Sequence, residues 1–465
     1  MKAKNIDLKN IYLLITLLIF IVICLLQFFN IYAIILGIPL IILIYYLSNK
    51  NIPKFPLILF IVTLIIRIIT VLIIDTPVES DFAVLFDAAQ NLTNKVNVMN
   101  DSTYFFRYAY QTGPVLFMTL LLQICNSLTF LKICNCVFSA LNCILIYYIC
   151  KKISTEQSAK MVSLLYGFLP FSIFYNTILS NQIPASTLFY LGILIFINNK
   201  DNKIKSFIIC ALLFGLGNFL RSEGIVFVGA IIGLYIIKLL TEKKTRKNKK
   251  YNANILIFVT VYILFGLLTN GIIKATHINN EGLSNNFTNW KFLVGLNTNT
   301  CGRYNEEDII YMETDEKAKQ EIINRITSLT PKSALQLFSC KAKTMWSGGS
   351  LNWSFNNLEK QEYNFLGFTL NKKDIEEIFY HINKIIYYYA LIMLIIGLYN
   401  KFKNDKLNDN DLILINILVL NLVAYSIIEV QERYIYLAQI SIFVLSSLGF
   451  DYINIIKGKK KEVKL

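Results

Sequence analysis

The stretch PLILFIVTLIIRIITVLII at residues 56–74 runs directly into DTPVESDFAVLFDAA at residues 75–89, and this junction decides the fold. As a helix, the first stretch is long enough to cross about 30 Å of hydrocarbon. The second stretch places Glu79, Asp81 and Asp87 immediately after it. Carboxylates are costly near lipid, so at the end of a span they require a partner or a chemical role.

The composition extends this interpretation to the whole chain. Of its 465 residues, 55% are hydrophobic and 16% are charged, whereas a soluble domain is about half apolar and a quarter charged. We therefore predict an all-α polytopic membrane protein with about twelve transmembrane helices. The predicted spans are residues 11–29, 31–48, 56–74, 129–150, 158–179, 184–198, 206–220, 224–240, 254–273, 382–399, 412–428 and 434–452.

The distribution of basic residues predicts the orientation. The net charge is +15, and lysine and arginine concentrate in every second short connection, whereas the alternate loops hold Lys95, Arg107, Arg221 and Arg433. This asymmetry predicts that both termini are cytoplasmic. Topology and contact with anionic lipid thus account for the charge without nucleic acid. The basic connections contain Lys2, Lys4, Lys9, Lys50, Lys54, Lys151, Lys152, Lys200, Lys203, Lys205, residues 243–250, Lys401, Lys403, Lys406 and the run from Lys457 to Lys464.

The residue usage and the first span also predict where the protein is located. Heavy use of Ile, Asn, Lys and Tyr is typical of an AT-rich bacterial genome, so we expect a bacterial cytoplasmic membrane. The first span is full length and has no small-x-small cleavage site, so we expect it to be retained.

We divide the chain into three parts. Residues 1–273 form a transmembrane core with an outer loop at 75–128, residues 274–381 form a small mixed extracytoplasmic cap, and residues 382–465 form the C-terminal helices and a basic cytoplasmic tail. The apolar stretch 115–124 is too short to span, and we expect it to lie in the membrane interface. If it did span, every later basic loop would face outward.

The cap carries helix signals and two cysteines. Residues 315–328 predict one helix, and Thr330-Pro331 predicts the start of another that continues to Trp346, because threonine caps helices and proline favours their first position. Cys301 and Cys340 lie on the predicted outer side, where disulfides can form. Their pairing stays open, and the other seven cysteines are expected to pack in or beside spans.

No cofactor is predicted. His277 and His381 lie at separate outer borders, and two histidines alone make a poor metal site. Because carboxylates cluster only loosely near the predicted outer face, we expect a metal-free site, and dependence on a divalent metal stays open.

Several charged residues are expected at the outer ends of spans. Arginines there can grip a phosphate bidentately, and a carboxylate opposite can take a proton from an attacking hydroxyl. A sugar on a polyprenyl phosphate already has a good leaving group, so one base and cationic stabilisation of the phosphate suffice. The candidates are Glu79, Asp81, Asp87, Arg107, Arg221, Glu223, Glu429, Glu432 and Arg433.

Each candidate also has a simpler structural explanation. Asp81 would serve as a helix N-cap, Arg221 as a helix-end anchor, and Arg433 as the partner of Glu429 at i,i+4. Arg107 would contact solvent or lipid headgroups. The run from Phe105 to Tyr110 would be an aromatic interfacial belt.

Four segments resemble the GT-C superfamily of membrane glycosyltransferases, in the branch similar to protein O-mannosyltransferases and lipid A aminoarabinose transferases. Ser80-Asp81-Phe82 with Ala88-Ala89 resembles the family's first-loop segment, although related proteins often have an adjacent acidic pair there. The other three are Tyr108 to Gly113, Leu220-Arg221-Ser222-Glu223-Gly224, where serine replaces a common proline, and Glu429-Val430-Gln431-Glu432-Arg433-Tyr434.

The resemblance implies inverting transfer of a sugar from a polyprenyl-phosphate donor to a hydroxyl of a glycan, lipid or protein on the outer membrane face. Asp81 would be the catalytic base, with Glu79 and Asp87 as supporting or rival carboxylates. Arg433, Arg221 and Arg107 would bind the lipid phosphate. Donor or acceptor contacts are expected from Tyr108, Gln111, Glu429 and Glu432, and the cap would shape the acceptor site.

Two other classes compete with this hypothesis. A polymerase or ligase of surface polysaccharide also has about a dozen spans and a large outer loop, but it typically relies on outer arginines without an acidic segment after an early span. A transporter of lipid-linked sugars would carry charges deep in several helices and matched repeat halves. The sequence shows neither transporter feature.

Overall fold

The computed structural model describes residues 7–27, 31–365 and 367–462. Residues 28 and 29 of the predicted first span lie outside this range, as do the basic residues Lys2, Lys4 and Lys464.

The described chain is predominantly helical. Its α-helices are α1 (Leu8–Leu26), α2 (Ile31–Ser48), α3 (Phe55–Ile73), α4 (Asp81–Thr93), α5 (Thr103–Arg107), α6 (Thr112–Ile124), α7 (Leu128–Ile153), α8 (Glu156–Gly167), α9 (Pro170–Phe174), α10 (Gln182–Asn198), α11 (Ile204–Leu220), α12 (Gly224–Thr241), α13 (Lys243–Lys247), α14 (Lys249–Ala275), α15 (Asn289–Gly295), α16 (Asp315–Ser328), α17 (Pro331–Met345), α18 (Asn352–Phe355), α19 (Lys372–Asn404), α20 (Asp409–Ile427) and α21 (Tyr436–Glu462). Four 3-10 helices lie at Ala109–Gln111, Tyr175–Thr177, Glu306–Met312 and Glu432–Ile435, and the two strands are β1 (Glu362–Phe365) and β2 (Phe368–Asn371).

The membrane body contains most of the predicted spans. Within the described ranges, nine helices are long and apolar enough to cross a membrane, and α10 and α11 are shorter apolar helices. The all-α polytopic fold class is confirmed, and the count of about twelve spans stays a prediction.

The predicted span at 158–179 is wrong as a single helix. Helix α8 ends at Gly167 and α9 begins at Pro170, because proline lacks the N–H that a continuing helix needs. Arg67 from α3 supplies donors at this break: Nη1 lies 3.2 Å from the Gly167 carbonyl oxygen and Nη2 lies 2.7 Å from Ser172 Oγ. The break therefore keeps its backbone polar groups satisfied inside the bundle.

Long helices at the C-terminal side form the centre of the bundle. Helix α19 packs along α21, α1 and α2. A methyl group on Gly449 of α21 would lie 2.0 Å from the Met393 carbonyl oxygen of α19, so glycine permits this close approach. Helix α19 begins at Lys372, ten residues before the predicted span, because Asn371 and Asp374 form a capping box there.

Two groups of elements lie outside the long helices. Helices α4 and α6 pack together after α3, and α6 has 13 residues, fewer than any of the nine candidate spans. The second group is the cap, which runs from α15 to the antiparallel hairpin of β1 and β2. Its predicted helices are confirmed as α16 and α17, and Thr330 caps α17 together with Ser333.

Candidate active site

The candidate base lies at the start of α4. Asp81 is the first residue of that helix, and Ser80 occupies the N-cap position without a side-chain capping bond. Asp81 therefore does not act as the N-cap. Its side chain is exposed, and it makes no hydrogen bond or ion pair with the rest of the described chain.

An unusual backbone conformation precedes Asp81. Ser80 has φ 55° and ψ −140°, which a residue with a Cβ rarely adopts. Helix α4 thus begins with a sharp change of direction that sets where the Asp81 carboxylate points. Such conformations cost about 1–3 kcal/mol and persist only where the surroundings hold them.

Buried contacts hold the connection from α3 to Asp81. Lys132 Nζ of α7 donates to the Thr76 carbonyl oxygen at 2.7 Å and lies 3.5 Å from Asp75 Oδ1. The Thr76 hydroxyl donates to the Ser354 carbonyl oxygen at 2.8 Å. The loop that carries the acidic cluster is therefore fixed both to α7 and to α18 of the cap.

Arg433 lies next to two aromatic rings beside this loop. Its guanidinium carbon is 4.2 Å from the Trp353 ring centroid and 5.0 Å from that of Phe82, the residue after Asp81. The two rings pack edge to face with centroids 5.7 Å apart. The fold thus brings the segments of Asp81 and Arg433 together, although about 350 residues separate them.

Only some of the hydrogen-bond donors of Arg433 have partners in the described chain. Its Nε donates to Gln431 Oε1 at 2.7 Å, and the two terminal amino groups make no hydrogen bond within the described residues. The aromatic rings contact the guanidinium, and these amino groups stay available for an oxyanion. The sequence did not identify Trp353, and its one signal is that it is among three tryptophans in the chain.

Glu429 does not pair with Arg433. Its carboxylate is buried and accepts from Gln431 Nε2 at 2.8 Å and from Tyr434 Oη at 3.0 Å. The i,i+4 ion pair does not form because Glu429 precedes the 3-10 helix and is not on a shared α-helix with Arg433. Glu432 lies 3.5 Å from Nη2 of Arg303 in the cap.

Arg221 adds a second cation next to Tyr434. Its Nε donates to Glu223 Oε1 at 2.8 Å, and its guanidinium carbon lies 5.6 Å from the Tyr434 ring centroid. Arg221 directly follows α11, so it lies at a helix end, as expected if it were only a helix-end anchor. Its partial burial and its contact with Tyr434 also place it in the candidate site.

Lys291 of the cap faces the same charges. Its Nζ lies 5.9 Å from the Tyr110 ring centroid. Burial and the neighbouring Arg221 cation lower the pKa of Lys291, while the carboxylates of Glu429, Glu223 and Asp81 oppose this shift. Charged groups from three other segments thus act on Lys291. No sequence motif marks Lys291, because α15 lies inside a long loop between predicted spans.

The site residues predicted between positions 107 and 111 differ in their exposure to solvent. Arg107 is exposed, and its guanidinium carbon lies 5.2 Å from the Phe287 ring. Tyr108 packs against Trp290 with ring centroids 5.9 Å apart, and burial raises the pKa of Tyr108 to about 12. Gln111 is buried, and its Nε2 lies 3.5 Å from Tyr104 Oη. The Asp81 charge also raises the pKa of Tyr108, so this tyrosine is electrostatically coupled to the candidate base.

Glu79 and Asp87, the two rival candidates of the first loop, have surroundings different from those of Asp81. Glu79 accepts a hydrogen bond from Asn357 of the cap. Asp87 is exposed six residues along α4, which places it on a different helical face from Asp81 at 3.6 residues per turn.

A clamp from the cap holds the backbone just before Arg433. Lys341 Nζ donates to the carbonyl oxygens of Gly295, Ser426 and Ile428 at 2.8, 2.9 and 2.8 Å. Lys341 is 2% exposed, and burial lowers its pKa to about 7. This lysine therefore ties α15 and α17 of the cap to the end of α20.

Two backbone bonds and a disulfide complete the clamp. The Glu429 N–H donates to the Lys291 carbonyl oxygen at 2.8 Å, and the Val430 N–H donates to the Gly302 carbonyl oxygen at 2.9 Å. Cys301 and Cys340 form a disulfide, with Cα atoms 5.6 Å apart. The bond that the sequence left open thus joins the residue before Gly302 to the residue before Lys341.

The described part of the chain contains no group of three or more His, Cys, Asp or Glu residues arranged to hold a metal ion. His381 lies in α19, 3.5 Å from Glu377 Oε1. His277 Nδ1 lies 3.2 Å from Asn280 Oδ1.

A groove lies next to the site, between α11 and α14. It has a volume of about 360 Å³. Its lining includes the polar side chains of Tyr110, Asn218 and Ser222 and the apolar side chains of Phe265 and Leu267. Ser222 directly follows Arg221 in the sequence.

Comparison with known proteins gives a family match for part of the sequence and a similar fold over most of the chain. Residues 113–265 match the family described as dolichyl-phosphate-mannose-protein mannosyltransferase. No curated protein sequence matches the chain. The fold is similar to that of archaeal oligosaccharyltransferase AglB from Archaeoglobus fulgidus, solved with an inhibitory peptide and a dolichol-phosphate, with a TM-score of 0.50 and 11% identity over 88% of this chain. The aligned region is 52% of AglB, so this chain spans about half the length of that protein.

A second solved protein aligns more loosely. ArnT from Cupriavidus metallidurans, in the apo state, gives a TM-score of 0.36 and 9% identity over 85% of this chain and 76% of that one. The structure of ArnT bound to undecaprenyl phosphate gives a TM-score of 0.33 and 10% identity, over 85% of this chain and 77% of that one. At these values the alignment with AglB shows a shared membrane fold, and the alignments with ArnT support no further conclusion.

Proposed function

We propose that this protein, which resembles the GT-C glycosyltransferases, is an inverting glycosyltransferase that uses a polyprenyl-phosphate sugar as donor. The acceptor is a hydroxyl of a glycan, lipid or protein, and transfer takes place at the outer face of the cytoplasmic membrane. The observation that carries this proposal is the position of Arg433, which the rings of Trp353 and Phe82 hold beside the Asp81 segment.

In the proposed reaction, Asp81 acts on the acceptor and the cations act on the donor phosphate. The acceptor oxygen attacks the anomeric carbon, the bond from that carbon to the phosphate oxygen breaks, and the configuration inverts. Asp81 takes the proton of the acceptor hydroxyl, since its carboxylate is exposed and has no other described partner. The polyprenyl phosphate leaves with the bonding electron pair.

Cations at the site stabilise the departing phosphate. The free terminal amino groups of Arg433 suit bidentate contact with phosphate oxygens. Arg221 and Lys291 add positive charge next to Tyr434 and Tyr110, in surroundings where water is partly excluded and electrostatic stabilisation is stronger. Arg107 lies against Phe287, where it would contact the headgroup region or an incoming acceptor.

The donor lipid has a suitable path in the groove between α11 and α14. Ser222 in the lining of this groove directly follows Arg221, and Phe265 and Leu267 lie on α14, which is predicted to cross the membrane. A phosphate beside Ser222 and an isoprenoid chain along Phe265 and Leu267 match this polarity. The dolichol-phosphate in the solved AglB structure belongs to a protein with the same fold and is consistent with such a ligand.

Transfer by paired variants tests the proposal. Membranes that contain the chain would be incubated with undecaprenyl phosphates that carry glucose, mannose, galactose or aminoarabinose, and release of undecaprenyl phosphate would be measured. We expect Asp81→Asn to reduce release by at least about 100-fold, whereas the matched Asp87→Asn keeps most activity. Full activity of Asp81→Asn at equal expression would contradict the proposed base and favour a polymerase or ligase that relies on arginines.

A further inference from the structure

The cap contains a polar cleft away from the Asp81 and Arg433 site. The loop after α15, the 3-10 helix Glu306–Met312, α16 and the start of α17 line it. Its volume is about 480 Å³, within the roughly 300–1,000 Å³ typical of small-molecule sites. A cleft of this size has room for one or two sugar rings.

The floor of the cleft is a rigid ion network. Arg325 donates through Nη2 to Asp308 Oδ1 at 2.6 Å and through Nε to Glu321 Oε1 at 2.9 Å. Asn297 Nδ2 lies 3.2 and 3.1 Å from the two oxygens of Asp308, which is 1% exposed. Two carboxylates thus neutralise the Arg325 cation, so the floor offers no free positive charge to an anion.

The rim presents polar groups that are free to bind. The Asn299 amide and the Glu307 carboxylate are exposed and make no side-chain hydrogen bond within the described chain. Both line the cleft, together with the Tyr311 ring. The ring rests partly buried against the small cap core, which also contacts Tyr108, so its position is fixed.

These groups match the chemistry of a saccharide. Sugar hydroxyls both donate and accept, the Asn299 amide does the same, and the Glu307 carboxylate accepts from two hydroxyls. The Tyr311 ring, whose centroid lies 5.8 Å from the Arg325 guanidinium carbon, adds an aromatic contact for the C–H groups of a pyranose. Lining charges of three carboxylates and one guanidinium leave the cleft negative, which disfavours acidic sugars.

We infer that this cleft binds a neutral or amino sugar. The cleft lies in the same cap that clamps the backbone before Arg433, since the loop that lines it reaches Gly302, whose carbonyl accepts from Val430. A role in holding the glycan of an acceptor rests on the proposed transfer, whereas saccharide binding itself does not.

Saturation-transfer NMR on the full chain tests this inference. The protein would be held in lauryldimethylamine oxide, which has no sugar headgroup, and mixed separately with mannobiose, N-acetylglucosamine, glucosamine and glucuronic acid. The variants Glu307→Gln and Asn299→Ala change exposed rim groups and leave the ion network intact. Glu316→Gln, on α16 outside the cleft, is the matched charge control.

We expect at least one neutral or amino sugar to show transfer, glucuronic acid to show less, and both rim variants to weaken affinity by about tenfold. Glu316→Gln and Asp81→Asn should bind as the unchanged protein does, so saccharide binding and the proposed transfer can fail separately. The inference is overturned if no sugar binds, if glucuronic acid binds best, or if the rim variants bind with unchanged affinity.

Discussion

The guanidinium carbon of Arg433 lies 4.2 Å from the ring centroid of Trp353. Trp353 belongs to α18 in the cap, and Arg433 lies just before α21. This contact joins the cap to the last membrane helix, and Phe82 joins both to the start of α4. Three segments that are distant in the sequence thus meet at one cation.

Removal of the Trp353 ring should weaken binding of a lipid phosphate. A cation–π contact contributes about 1–2 kcal/mol when it is partly desolvated, so Trp353→Ala should raise the Kd for undecaprenyl phosphate roughly 5- to 30-fold. Trp353→Phe should recover most of the affinity, since a ring remains beside Arg433. Phe338→Ala, which removes an exposed aromatic ring on α17, is the control. Equal losses in Trp353→Ala and Phe338→Ala would contradict a specific contact.

Arg433 and Arg107 should differ in their contribution to phosphate binding. Arg433→Lys keeps the charge but loses the planar pair of donors, and Arg433→Ala loses both. Charge-assisted hydrogen bonds contribute about 1.5–3 kcal/mol, so the Kd for undecaprenyl phosphate should rise at least about tenfold in Arg433→Ala. Arg107→Ala should change it less, because Arg107 is exposed against Phe287. A larger effect at Arg107 would reverse the assignment.

The membrane fold could be predicted from the sequence because its signals are local. Apolar runs and their basic flanks predicted the helical membrane architecture, which is confirmed. Thr330 and Pro331 predicted the start of α17 for the same reason. The break between α8 and α9 was missed, because Pro170 lies in an otherwise apolar run and its compensation comes from Arg67 in another helix.

Only the charged residues next to spans could be predicted as members of the candidate site. Asp81, Arg221 and Arg433 stand next to spans, where ionisable residues are conspicuous. Trp353, Lys291 and Lys341 were not identified, because their roles depend on contacts across long sequence separations. The pairing of Cys301 with Cys340 likewise required the folded cap.

Substitution of Ser80 by glycine should relieve the strain in the backbone at this position. Ser80 has φ 55° and ψ −140°, a conformation that glycine adopts without a Cβ penalty. Ser80→Gly should therefore raise the free energy of unfolding by about 1 kcal/mol, measured as a higher Tm in detergent. Ser102→Gly, at the N-cap position of α5 with φ −98°, should give no increase. A lower Tm for Ser80→Gly than for Ser102→Gly would show that Ser80 is not strained.

Loss of the Cys301–Cys340 disulfide should loosen the clamp as well as destabilise the cap. The cysteines are 39 residues apart in the sequence, and a cross-link over such a loop contributes about 3–4 kcal/mol. Cys340→Ser should lower the Tm and weaken undecaprenyl-phosphate binding, because Gly302 and Lys341 lose their link. Cys125→Ser, which changes an exposed free cysteine, controls for the substitution. Unchanged binding in Cys340→Ser, despite a lower Tm, would separate the disulfide from the site.

A cryo-electron microscopy map of the full chain with bound undecaprenyl phosphate would show which residues hold the lipid phosphate. We predict a phosphate within hydrogen-bond distance of the terminal amino groups of Arg433, facing Asp81, with the isoprenoid chain in the groove between α11 and α14. A phosphate bound away from Arg433, with the Asp81 and Arg433 site empty, would contradict this prediction.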